Sequence, residues 1–132
     1  MEFITQKITM GKDLGVHGNL FGGNMLSWID EAAGTMAVTI CRTPNMVTLK
    51  LEEVIFRKAV KVGHLIKIYG KVVRMGTSSI TLCMEARKYN PISDEENIVC
   101  DTFLTFVRID ESGEPVPIPS SVREKYKHLS EK

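Results

Sequence analysis

The apolar residues of this chain change their period once, and that change limits the fold more than any other feature of the sequence. From Asn24 to about Arg42, Met25, Leu26, Ile29, Ala32, Ala33, Met36, Ala37 and Ile40 recur at three- and four-residue intervals. That spacing lays them along one stripe of a buried helix, and Thr43-Pro44-Asn45 stops it. Beyond Asn45 the period is that of a strand and stays so. Residues 46–57 form one strand candidate. In 64–74, Ile66, Ile68, Gly70 and Val72 alternate with Lys67, Tyr69, Lys71 and Val73, and in the next run Ile80, Leu82, Met84 and Ala86 alternate with Thr81, Cys83, Glu85 and Arg87. Side chains two apart share a face of a strand, so both runs read as half-buried strands.

The remaining segments complete the order. Residues 3–10 read as a short first strand, and residues 11–23, with Gly11, Gly15, Gly18, Gly22 and Gly23, as a loop that opens the helix. Met75-Gly76-Thr77 is expected to be a hairpin turn and Asn90–Asn97 a longer polar turn. Val99–Arg108 reads as a last strand with apolar residues on both faces. The proline-dense stretch Pro115–Pro119 is expected to end the folded core. Strand, helix, then four strands with mostly hairpin connections predict an α+β protein, an antiparallel sheet wrapped on one long central helix. A strand apolar on both faces suggests that the outer face meets another subunit.

At 132 residues the chain suits one domain, 1–132, able to bury about two thirds of the surface its unfolded chain exposes. A net charge of +1 with Lys and Arg spread along the chain argues against a nucleic-acid partner. No segment is long and apolar enough to span a bilayer, and the first residues lack the apolar run of a signal peptide. Cys41, Cys83 and Cys100 are an odd set without CxxC spacing, which suits reduced thiols and a cytoplasmic location. Three His and three Cys without ligand spacing suggest no metal.

Chemistry concentrates in residues 17–34. A Gly22-Gly23 pair at a helix start lets a ligand approach the backbone, where first-turn N–H groups without an intrahelical partner can bind a developing oxyanion. The same pair also serves a plain tight turn. Asp30 sits among Leu26, Ile29, Ala33 and Gly34, where an unpaired carboxylate is costly to bury. It either faces solvent or a Lys, as Glu31 can, or lines a cleft where it activates water or attacks a carbonyl. Asn19 can orient a water or a carbonyl, or serve only as a turn residue, and His17 is equally open.

Gly18-Asn19-Leu20-Phe21-Gly22-Gly23, followed by Ile29-Asp30-Glu31-Ala32-Ala33-Gly34, resembles the hotdog-fold acyl-CoA thioesterases of the cytosolic acyl-CoA hydrolase type. Phe56, Val60-Lys61-Val62-Gly63, Arg74-Met75-Gly76-Thr77-Ser78-Ser79 and Thr105-Phe106-Val107 follow in that family's order, so the resemblance covers nearly the whole chain. It implies a helix wrapped by an antiparallel sheet and a homo-oligomer with the dimer as minimal unit, commonly a trimer of dimers. It makes Asp30 the catalytic carboxylate, Asn19 its partner from the opposite subunit, and the Gly23 N–H part of the oxyanion hole. Gly22 and His17 would lie at the substrate, and Arg74, Gly76, Thr77, Ser78 and Ser79 along coenzyme A. An acyl-CoA substrate and no cofactor are implied. Two positions depart: His17 stands where bacterial relatives often carry Asn, and His64 where they usually carry Asp.

On this reading Asp30 acts as general base or as nucleophile, and the sequence leaves both open. A hydroxyacyl dehydratase using a loop His and a helix acid is an alternative, as is a non-catalytic acyl-CoA-binding regulator.

Overall fold

The structure is a computed structural model that describes residues 1–130. The elements are β1 (Glu2–Ile8), a 3-10 turn (Gly11–Asp13), α1 (Gly22–Cys41), β2 (Met46–Phe56), β3 (Leu65–Met75), β4 (Ser79–Asn90), β5 (Glu95–Arg108), α2 (Ser120–Lys125) and a second 3-10 turn (Lys127–Leu129). The five strands form one antiparallel sheet in the order β1-β3-β4-β5-β2. The expected α+β architecture is present.

Most of the predicted stripe is buried; Leu26 and Ile40 are half-buried, and Trp28 and Cys41 join the buried face. Met25, Ile29, Ala32, Ala33, Met36 and Ala37 face the sheet, against Ile66, Ile68, Ile80, Leu82, Met84, Ala86 and Leu104. Small residues on the stripe bring helix and sheet close. At Gly70 the packing is tight: a Cβ there would lie 2.6 Å from Met84 Sδ and 2.8 Å from Met36 Sδ, so a side chain would displace one of the two.

Several boundaries move. The helix begins at Gly22, so the glycine pair forms its first turn instead of preceding it. Met75 belongs to β3, and the long polar turn narrows to residues 91–94 because β4 and β5 pair out to Asn90 and Glu95. The proline stretch does not end the folded core. Ile118 is fully buried and Val122 nearly so, and α2 follows, because the open end of the sheet needs apolar cover that these two side chains supply.

The strand candidate at residues 46–57 is β2, an edge strand with an irregular register. Its pairing with β5 shifts between Thr48 and Lys50 and again between Glu52 and Ile55, where Glu53 takes a φ of 53°. The first shift makes Leu49 the extra residue of a bulge. Thr48 and Leu51 then pair with Phe106 and Leu104, on the side facing α1.

Candidate active site

Asp13 clamps the loop that delivers the site. Its carboxylate accepts the Met10 backbone N–H at 2.8 Å and Lys12 Nζ at 3.2 Å. Its carbonyl accepts Asn24 Nδ2 at 2.9 Å and the Phe21 N–H at 3.0 Å. The Met10 N–H bond, with Lys12 beside it, holds the Asp13 carboxyl below the ordinary carboxylate range. The glycine-rich sequence announced a loop but not its clamp.

The first turn of α1 is bare. Phe21 is the N-cap and makes no side-chain capping bond, and helix geometry gives the Gly22 and Gly23 N–H groups no intrahelical acceptor. They sit at the positive end of a 20-residue helix. Neither glycine has a positive φ. Room is what requires them: a Cβ on Gly23 would lie 2.7 Å from Phe21 Cε2, and one on Gly22 3.3 Å from Phe56 Cζ.

Two turns further on, the adjacent acids part company. Asp30 is half-buried and its Oδ1 accepts the Thr48 hydroxyl at 2.8 Å. Glu31, its side chain 67% exposed, lies 3.9 Å from Lys7 Nζ. Thr48 is therefore a partner of the candidate carboxylate that sequence reading missed. One Thr in a strand candidate carries no signal, and only the pairing of β2 at the sheet edge brings it under α1.

Asn19 is held separately. Lys61 Nζ donates to its Oδ1 at 2.6 Å. An ammonium only donates, so the amide NH2 is turned away from Lys61. Asn19 and Gly22 line a cavity of about 350 Å3 together with Met25, Phe56 and Val60. Asp30 does not line it, so one subunit does not gather Asp30 and Asn19 into a single pocket. His17 stands on the exposed loop, outside that cavity.

The β3–β4 connection also divides. Arg74 Nη2 donates to Thr81 Oγ1 at 3.2 Å, and Thr81 shares a buried hydrogen bond with Thr105. This recess, with Glu52, Glu53 and Phe103, lies on the sheet face turned away from α1. Gly76 and Thr77 line a different cavity. Around them the backbone is fixed: the Gly76 N–H donates to Ser79 O, the Arg108 N–H to Ser78 O and the Ile118 N–H to Thr77 O, each at 2.8 Å.

The thiols are not poised as nucleophiles. Burial pushes Cys41 and Cys100 up to about 11 and raises Cys83 as well, which keeps all three protonated near neutrality. Among the described residues no three His, Cys, Asp or Glu side chains are grouped to hold a metal ion, and no helix is long and apolar enough to cross a membrane.

A sequence model of the Thioesterase superfamily matches residues 17–93, a stretch that carries Asn19, Gly22, Gly23, Asp30 and Thr48. The chain belongs to the thioesterase superfamily. This thioesterase-superfamily chain is 34% identical over 112 residues to YkhA of Bacillus subtilis, an uncharacterized acyl-CoA thioester hydrolase; the match covers 85% of this chain and 64% of YkhA, just under two thirds of that protein's length. Among solved structures it resembles HI0827, a hexameric broad specificity acyl-coenzyme A thioesterase, with a TM-score of 0.86 and 28% identity over 96% of this chain and 95% of that one. It also resembles Cj0915, a hexameric hotdog fold thioesterase of Campylobacter jejuni, with a TM-score of 0.81 and 27% identity over 96% and 97% of the two chains. The sheet wrapped on one helix is thus the hotdog fold.

Proposed function

We propose that this chain is an acyl-CoA thioesterase, which splits a CoA thioester with water into free CoA and a carboxylic acid and uses no cofactor. The observation that carries the reading is the Asp30–Thr48 hydrogen bond, a carboxylate fixed on the helix whose uncapped first turn is Gly22-Gly23. The family membership and the two hexameric thioesterases of like fold support it.

The substrate carbonyl docks against the Gly23 N–H, where the helix end stabilises the negative charge that develops on oxygen. Asp30 takes a proton from the attacking water and passes it to the thiolate that the collapsing adduct expels; or it attacks the carbonyl itself and expels the thiolate, giving a mixed anhydride that water then cleaves to the acid and the free Asp30 carboxylate, the thiolate taking its proton from solvent. Thr48 holds the carboxylate in one rotamer. Asn19, its Oδ1 engaged by Lys61, presents its amide NH2 and donates to the carbonyl oxygen.

Two subunits complete each site. Asp30 and Asn19 have different partners and different surroundings within one subunit, and the strand that supports Asp30 is an open edge with exposed apolar side chains. Pairing of two β2 edges gives a symmetric dimer with two composite sites, and three such dimers give the hexamer that HI0827 and Cj0915 form. The three protonated thiols fit a reducing, cytoplasmic setting. Against the dehydratase alternative stand the proteins this chain resembles, which are an acyl-CoA thioester hydrolase and thioesterases.

The test is thiol release from a panel of CoA thioesters, short to long and including an aromatic acyl group. Wild type is expected to turn over part of the panel and Asp30→Ala to lose about 100-fold or more in kcat with its circular dichroism unchanged. Wild type that released no thiol from any member, or an Asp30→Ala variant as fast as wild type, would sink the reading.

A further inference from the structure

A cavity of about 560 Å3 lies between β1, the C-terminal half of α1 and α2. Its volume is in the range of small-molecule sites. Asp30, Asn19, Gly22 and Gly23 are not among its lining residues. Two of its three walls, β1 and α2, lie outside residues 17–93, the stretch matched by the family, and the proposed reaction uses none of its side chains.

The lining divides into an apolar part and a charged part. Ile4, Met36, Ile40, Val122 and Tyr126 supply the first, with Met36 and Val122 buried and the other three half-buried. The two threonines on the α1 wall add little polarity, because the Thr35 hydroxyl donates to Ala32 O at 2.8 Å and the Thr39 hydroxyl to Thr35 O at 2.7 Å. Both donor protons are thus engaged within the helix.

The charged part consists of Arg42, Lys125 and Glu2, all exposed. Arg42 caps the end of α1 at a φ of 57°, and Lys125 is the last residue of α2. The carbonyl end of a helix favours a cation at such a position. Neither cation has an ion pair among the described residues, and Lys125 Nζ instead lies 5.7 Å from the centre of the Tyr126 ring. Two cations against one acid leave the lining with a net positive charge of one. That balance matches a carboxylate better than a phosphate monoester, which carries about two negative charges near neutrality.

We propose that this cavity binds a carboxylic acid with an apolar chain, the chain lying on Ile4, Met36, Ile40 and Val122 and the carboxylate meeting Arg42 and Lys125. Burial of the chain removes apolar surface of ligand and cavity from water, and both cations offer charge-assisted hydrogen bonds to the carboxylate. The acid that thioester hydrolysis releases belongs to this class, but the site rests on its own lining and not on that reaction.

The test is a titration of the intact oligomer with decanoate, read by NMR of 13C-labelled methionine methyl groups. Met36 lines this cavity and Met25 the one beside Asn19, so these two methyls, assigned by their loss in Met36→Leu and Met25→Leu, separate the new site from the candidate active site. Decanoate is expected to shift the Met36 methyl saturably, and decanol, which keeps the chain without the charge, to bind about tenfold more weakly. Arg42→Gln and Lys125→Glu are each expected to raise the decanoate Kd read at Met36 by about fivefold to tenfold. Lys71→Glu makes the same charge change at an exposed residue of β3 that lines none of the four cavities described, and is expected to leave that Kd unchanged. A Met36 methyl at its wild-type position in each unliganded variant shows that the fold is kept. A Met36 methyl that decanoate leaves unmoved, decanol binding as tightly as decanoate, or equal effects of Lys125→Glu and Lys71→Glu would each overturn the site. Thiol release is a separate measurement, so the thioesterase reading stands or falls without it.

Discussion

The two edges of the sheet are finished differently. β1 is seven residues long, is broken by an irregularity between Phe3 and Thr5, and has Phe3 set edge-on to Tyr69 with Lys67 near its ring. Where β1 stops, the C-terminal segment takes over the edge of β3 through Ser130. β2 is eleven residues long and leaves Val47, Leu49, Leu51, Ile55 and Phe56 exposed in one subunit. A long free edge with apolar side chains is a template for another strand. One edge is short and irregular, with its neighbour strand β3 continued by the C-terminal segment; the other is long and carries Thr48. On our reading catalysis waits on a second subunit at that longer edge.

The sharpest way to break this contrast is to place one lysine on each edge. Leu49→Lys on β2, where Leu49 is 61% exposed, is expected to dissociate the oligomer and reduce thiol release about 100-fold, whereas Ile8→Lys on β1, where Ile8 is 52% exposed, is expected to leave size and activity intact. Light scattering and the thiol assay read both, and an intact Leu49→Lys oligomer would end the contrast. Mixed oligomers sharpen it. Asp30→Ala and Asn19→Ala are each expected to be inactive, and unfolding and refolding them together in equal amounts should restore about a quarter of wild-type activity if every site draws one residue from each of two symmetric subunits. No recovery would place both residues of a site in one chain. Thr48→Val removes one hydrogen bond to a carboxylate and is expected to lower kcat about 10-fold to 100-fold, with the oligomer unchanged.

The smallest expected effect lies away from the open edge, at His64. Its Nδ1 accepts the Lys61 N–H at 2.9 Å, and burial, with Lys88 and Lys61 close by, lowers it from its ordinary 6.5. The folded state therefore resists a proton that the unfolded chain accepts. Its contribution to stability is complete above pH 6.5 and is lost as pH falls from there through the lowered folded value. The melting temperature of wild type is expected to drop more between about pH 7 and pH 5 than that of His64→Gln, and equal drops would remove His64 from the account.

What the sequence made legible were features with a local period. The α1 stripe and the β3 and β4 alternations needed only neighbouring residues, and most of those residues are buried where the periods place them, Leu26, Ile40 and Val72 being half-buried. β2 was harder to read, because the bulge at Leu49 changes which residues face α1. The C-terminal helix was lost behind Pro115–Pro119, since a proline run reports that an element stops and says nothing about what packs after it. In the site, Asp30 and the glycine pair were visible as residue types in an unusual place. The partners of Asp30 and Asn19 were not. Thr48 and Lys61 stand 18 and 42 positions away along the chain, and only the closed sheet joins those distances. The glycine pair itself turned out to make room for Phe21 and Phe56, a reason that no local pattern contains.

The contact at Gly70 carries a consequence for how this protein ages. The helix bearing Asp30 rests on the sheet through the thioethers of Met36 and Met84, packed over a glycine that has no side chain to withdraw. Methionine adapts to such a space because it is flexible and apolar. An oxygen atom added to either sulfur would make it polar and larger, and the slot over Gly70 holds neither the charge separation nor the volume. A sulfoxide at Met36 or Met84 would therefore disturb the packing beneath the helix that carries Asp30.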